Sequence, residues 1–173
     1  MNKSTLFAYF LLLTSLSALG QQQQQRRYGR PAILQEVSTQ SVFQDIYPEG
    51  TELKKANDYW YKIIDSKGKT LGYAMTSSNF CKDVKGFANT TPVMIVTDKK
   101  FVIKKVALLS NYESANFVQR LNTGGFFKNW SEKKVREAKK DKVDGYTGAT
   151  YTANAVVKNV NFLLENGGKI MPK

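Results

Sequence analysis

The sequence contains no histidine and a single cysteine in 173 residues. Without histidine there are no histidine-based triads, no histidine metal ligands and no imidazole acid–base chemistry. With Cys81 alone, no intrachain disulfide forms and no thiolate cage holds a metal, so no metal is expected in the mature protein. The lone thiol reads as a small buried apolar group or as a reactive one, and the first is the commoner use. Acidic residues are also scarce: 14 Asp and Glu against 26 Lys and Arg leave a formal charge of +12. Such a surplus attracts nucleic acid, an anionic membrane face or an acidic cofactor, or it only solvates the surface. Its densest run, "KKVREAKKDK" from Lys133 to Lys142, lacks the interleaved aromatics of a single-strand stacking platform. No nucleic-acid partner is expected.

Long apolar runs are missing as well. The longest, Leu6 to Leu16, is short for a membrane-spanning helix, which needs about 20 residues. It follows Lys3 and precedes the small residues Ala18 and Gly20, the layout of a secretory signal peptide over residues 1–20. A retained membrane anchor is the alternative. No cysteine stands in the cleavage region to take a lipid. Residues 21–32, "QQQQQRRYGRPA", form a low-complexity polar spacer that buries nothing. The expected location is extracytoplasmic, periplasmic or secreted.

What is present suits one globular domain over residues 33–173, with 42% hydrophobic and 12% aromatic content and no internal repeat. "ILQEVSTQSVFQDIYP" places Ile33, Leu34, Val37, Val42, Phe43 and Ile46 on a helical stripe ended by Pro48 and Gly50. "YWYKIID" and "TLGYAMTSS" flank the turn "SKGK", and "PVMIVTD" and "FVIKKVALLS" flank "KK". These four β-rich segments predict an antiparallel sheet built from hairpins. "ESANFVQRL" predicts a short helix facing Phe117, Val118 and Leu121 inward, broken by "NTGG". Phe126, Phe127 and Trp130 read as core or pocket wall, and "SEKKVREAKK" as a surface helix opened by Ser131. The last helix carries Ala153, Val156, Val157, Val160, Leu163 and Leu164 on one face and stops at Asn166-Gly167. The fold class is α+β, a twisted antiparallel sheet packed with helices.

Just before that helix stands "DGYTGAT", Asp144 to Thr150. The first N–H groups of a helix lack intrahelical partners and carry the positive end of its dipole, so a phosphate sits well there. Gly145, Gly148 and Ala149 are small enough to let one approach, and Thr147, Thr150 and Thr152 offer hydroxyls. The loop is no P-loop, lacking the Gly-Lys-Ser/Thr ending, and no dinucleotide fingerprint, lacking a strand–GxGxxG–helix unit. Physically it is either an anion seat or an ordinary turn with a threonine cap.

The motif, as Asp-Gly-x-Ser/Thr-Gly-Ala-Thr, resembles the flavinylation motif of the FMN-binding domain family. That family includes the C subunit of the sodium-translocating NADH:quinone oxidoreductase and the G subunit of the Rnf electron-transport complex. "KGFANTTPVMIVTDKKFVIKKVALLSNYES", "FVQRL" and "GGFFKNW" resemble the family's upstream segments, so the likeness runs from about Glu52 to Gly167. It implies that a flavin transferase uses FAD to attach FMN, through a phosphoester, to Thr150. It further implies that Asp144 helps the transferase recognise or activate the site, an Asx-type turn being the other use of that residue. Gly148 and Ala149 give the phosphate room, and Glu113 and Ser114 become pocket candidates. Many members have Glu-Thr-Pro-Gly where this chain has Glu113-Ser114-Ala115-Asn116, and Thr-Ser where it has Thr152-Ala153. Those departures bear on the ring environment, not on the attachment residue. The implied function is extracytoplasmic electron transfer with membrane or extracytoplasmic redox partners. A small flavin-dependent reductase of an extracellular acceptor and a non-redox secreted binding module are the alternatives.

Overall fold

The computed structural model describes residues 33–143 and 146–173. The expected leader and spacer, and Asp144 and Gly145, lie outside them. Five strands form one antiparallel sheet in chain order: β1 (Gly50–Lys55), β2 (Trp60–Asp65), β3 (Thr70–Thr76), β4 (Val93–Thr97) and β5 (Ile103–Leu108). The helices are α1 (Thr39–Gln44), α2 (Ala115–Thr123), α3 (Val135–Ala138) and α4 (Thr150–Gly167), with a 3₁₀ turn at Phe126–Trp130. The α+β expectation holds, and β2 to β5 match the four segments expected to be strands. Among the described residues no helix is long and apolar enough to cross a membrane.

The hairpins form because their turns supply their own acceptors. Asp65 Oδ1 accepts from the N–H groups of Lys67 and Lys69, both at 2.9 Å, closing the β2–β3 turn. Asp98 Oδ1 does the same for Lys100 at 2.8 Å and Val102 at 2.9 Å, closing β4–β5. Strand β4 is buried along its whole length because the sheet is covered on both faces. Val93 and Ile95 pack toward α4, with Trp60, Met75, Val156, Val160, Leu163 and Leu164. Met94 and Val96 pack the other way, against Val42 and Phe43 of α1. Two cores sharing one strand explain its unbroken apolar run. The end of α4 is tied to the sheet by Trp60, whose indole N–H donates to the Gly167 carbonyl at 2.9 Å.

Two expectations are corrected, and one strand is additional to those expected. The helical stripe over Ile33–Ile46 is helical only over Thr39–Gln44. Gln35 instead exchanges backbone hydrogen bonds with Asn111, at 2.7 and 3.0 Å, and Ile33 and Leu34 are exposed. The helix expected from Ser131 shrinks to Val135–Ala138, because Lys133 and Glu132 bond to Ile103 on the edge of β5. Strand β1 (Gly50–Lys55) has no counterpart among the expected strands. The final helix runs as expected, with all the named apolar positions buried except half-buried Val157, and reaches Gly167 before the chain turns at Gly168.

Candidate functional site

The motif loop is held by Tyr146. Its ring is half-buried, with its centroid 6.1 Å from that of Phe126 in an edge-on arrangement. Its carbonyl accepts from the Ala149 N–H at 3.1 Å and from the Thr150 hydroxyl at 3.3 Å. A glycine across the way makes this possible: a Cβ on Gly124 would lie 1.8 Å from the Tyr146 hydroxyl. Gly124→Ala is therefore expected to evict the Tyr146 ring and loosen the loop. The expected cost is about 1–3 kcal/mol, measured by urea denaturation, with faster proteolysis at residues 143–149. Unchanged stability and unchanged cleavage would refute this anchoring role.

From Tyr146 the chain turns through exposed Thr147 and Gly148 and buried Ala149 into α4. Thr150 is the first helical residue and is exposed; Ala149 holds the cap position without a side-chain bond. The threonine-cap reading thus fails, since the Thr150 hydroxyl turns back to Tyr146 instead of satisfying the helix's free N–H groups. The positive end of an 18-residue helix lies beside a solvent-facing hydroxyl.

Thr152 turns inward and donates to Oε2 of Glu113, which is 1% exposed. The same carboxylate accepts from the N–H groups of Phe87 (3.0 Å), Ala88 (2.9 Å) and Asn89 (3.4 Å). Glu113 thereby ties the 86–89 loop to the first turn of α4, with its acceptor sites taken up by the protein itself. Its neighbour Ser114 is exposed and precedes α2 without making a side-chain cap bond.

The 86–89 loop brings Phe87 over the start of α4. Phe87 stands edge-on to Phe117, with centroids 5.7 Å apart, and 6.3 Å from Tyr151. Phe87 and Tyr151 are 63% and 71% exposed, an unusual position for such large apolar rings. With Phe117 and the Gly148–Thr152 segment they wall a depression of about 260 Å³. A larger one, about 710 Å³, lies between α1, β5 and α2 and contains none of the site residues expected from the sequence. The smaller one is walled by three aromatic rings and holds Thr150 at the first turn of α4, so it combines a hydroxyl, a helix N-terminus and flat apolar surface at the motif itself. Cys81 lies elsewhere, and burial pushes its thiol pKa up, which disfavours the reactive thiolate.

The structure thus brings Thr147, Gly148, Ala149, Thr150 and Thr152 together and joins Glu113 to them. It leaves Ser114 at the edge. Phe87 and Tyr151 were not foreseen as site residues, although Phe87 sits in the quoted "KGFANTT" segment. Among the described residues no group of three or more Cys, Asp or Glu is placed to hold a metal ion.

Fold and site define a class: a small α+β domain offering a hydroxyl at a helix N-terminus, beside aromatic surface, to a ligand that is both phosphorylated and flat. Residues 86–165 match the model of the FMN-binding domain, which makes this part of the chain a flavin-binding domain with FMN as its cofactor. The matched segment opens at the loop bearing Phe87 and closes within α4, so it contains every site residue named above. No curated protein matches the chain. The residues present suit FMN. Gly148 and Thr150 are exposed at the helix end, where a phosphate can approach, and the exposed rings offer an apolar face to an isoalloxazine.

Proposed function

We propose that this protein is an extracytoplasmic electron-transfer flavoprotein whose FMN is joined to Thr150 by a phosphoester. The observation that carries the reading is the exposed Thr150 hydroxyl, first residue of α4, at the end of the family's attachment motif. Thr150 Oγ1 forms a bond to the flavin-side phosphorus of FAD. The phosphoanhydride P–O bond breaks, adenosine monophosphate leaves with the bridging oxygen, and the hydroxyl proton passes to solvent. The chain holds no histidine and no cysteine in the motif to activate the hydroxyl, so a flavin transferase supplies the catalysis. Gly148 and Ala149 admit donor and enzyme, and the N-terminus of α4 faces the phosphate charge. Bound FMN supplies reversible electron acceptance, which the protein tunes but does not perform.

Phe87, Phe117 and Tyr151 are the residues that would hold the flavin ring against water, and Glu113 keeps Phe87 in place. The depression is smaller than the pockets that enclose a cofactor, commonly about 300–1,000 Å³. A shallow site leaves flavin edge exposed for electron exchange with protein partners, which fits a carrier better than a substrate-enclosing enzyme. Export rests on the Lys3–Gly20 leader pattern, and the expected partners are membrane or extracytoplasmic redox proteins. Covalent attachment suits that setting, where a dissociated flavin is hard to replace.

The test is co-expression with an active flavin transferase. Denaturing gels should show flavin fluorescence on the chain, and the peptide containing Thr150 should gain the mass of one FMN less water. An unlabelled wild-type chain in the presence of a transferase that labels a control acceptor would end the covalent reading.

A further inference from the structure

Arg120 lies in the last part of α2, where its backbone carbonyl accepts from the Gly124 N–H at 2.9 Å. Its side chain leaves the helix and crosses to the motif loop. Guanidinium Nη1 stands 3.0 Å from the point a Cβ would occupy on Gly148, whose φ is +86°. Glycine at 148 therefore both tolerates the left-handed backbone and lets the cation lie against the loop. Gly148 belongs to two surroundings at once. It lines the aromatic depression and lies against the guanidinium.

That arrangement suits a ligand with a flat apolar part and an anionic part. The rings of Phe87, Phe117 and Tyr151 take the first. Two sources of positive charge border the Gly148–Thr150 turn and suit the second: the N-terminus of α4, which no side chain caps among the described residues, and the Arg120 guanidinium beside Gly148. A guanidinium offers paired N–H donors that match two phosphoryl oxygens, as an ammonium does not. We propose that Arg120 is the phosphate-positioning residue of the Thr150 attachment site, donating to the phosphoryl oxygens of the group transferred to that hydroxyl. This inference rests on the covalent reading of Thr150 and adds to it a residue outside the attachment motif. Two roles follow. Before transfer Arg120 orients the donor's phosphorus toward Oγ1, and afterwards it neutralises the remaining phosphodiester charge.

The experiment uses the full chain, purified flavin transferase and FAD, with initial labelling rates read from flavin fluorescence on gels. Arg120→Gln is expected to lower kcat/KM for labelling by about tenfold or more, with Arg120→Lys recovering part of the loss. Lys158→Gln, which removes an exposed charge further along α4, should leave the rate unchanged. A second readout is independent of rate: the thermal midpoint of each variant, labelled minus unlabelled. Labelling should raise the midpoint of the wild type and raise that of Arg120→Gln by less. Because Arg120 is exposed, the unlabelled variant should melt with the wild type. Wild-type labelling rates and an unchanged label-induced shift in Arg120→Gln would overturn the inference while leaving Thr150 as the attachment residue. Failure of the wild type to label would overturn the reading on which it rests.

Discussion

Thr150→Val is expected to abolish flavin attachment completely while leaving the domain folded. Valine keeps the β-branched shape of threonine and removes only the oxygen, and no phosphoester forms without it. The structural cost is small. Thr150 is exposed at the start of α4, and its hydroxyl makes one bond, 3.3 Å long, to the Tyr146 carbonyl. Loss of a solvent-accessible bond of that kind costs about 0.5–1 kcal/mol, far too little to unfold the chain. Intact mass after co-expression with the transferase should show no FMN adduct, and the thermal midpoint should fall by only a few degrees. Thr150→Ser keeps the nucleophile and should be labelled. The neighbouring hydroxyls separate chemistry from architecture. Thr147→Val, in the exposed turn, should retain the label with no loss of stability. Thr152→Val should retain the label but destabilise, because Glu113 loses a donor at a buried position. An FMN adduct on Thr150→Val would move the attachment elsewhere, and a label lost equally in all three valine variants would reduce the site to a folding requirement.

This division of labour among three threonines shows how far the sequence carried. The motif identified Thr150, and the apolar spacing after it identified the helix behind it. Which hydroxyl faces solvent and which faces Glu113 depends on helix rotation, fixed by packing of Ala153, Val156 and Val160 on the sheet. Strands β2 to β5 were legible because β-branched runs end in turns whose aspartates close the loop. Strand β1 was not, since "GTELKK" has one apolar residue, Leu53, and forms only because β2 offers a free edge. The helical period across Ile33–Ile46 was real but lost to tertiary pairing: two backbone bonds to Asn111 hold Gln35 extended. Helix α3 shortened for the same reason, its first turn given up to β5. The aromatic wall was hidden because exposure of Phe87 and Tyr151 is a property of neither residue alone. It follows from a loop 26 residues before Glu113 in the chain being clasped by that carboxylate.

That clasp carries the second large expectation. Glu113→Ala should destabilise the domain by about 2–4 kcal/mol and weaken the site without touching the attachment chemistry. Four donors converge on one carboxylate: the N–H groups of Phe87, Ala88 and Asn89, and the Thr152 hydroxyl. Deleting it strips all four, and the hole it leaves is walled by Gly86 and Thr91, which pack on the side chain's surroundings. Water reaches exposed Phe87 and Ala88 and limits the penalty, so the four losses do not simply add. Glu113→Gln should cost less. With its amide nitrogen at the Oε2 position, the Thr152 hydroxyl rotates to accept, and only the Phe87 N–H is left facing a donor. The order of stability is therefore wild type, then Gln, then Ala, measured by urea denaturation. Hydrogen exchange supplies the local signature: the Phe87 amide should lose protection in both variants and the Ala88 and Asn89 amides in Ala alone, while β2–β3 amides follow global stability alone. In the labelled protein the flavin should become more accessible to an iodide quencher as Phe87 comes loose, in the same order of variants. Equal accessibility across the series would mean that Phe87 does not cover the flavin. A Glu113→Ala variant as stable as wild type would mean that the carboxylate clasp does not hold the loop at all.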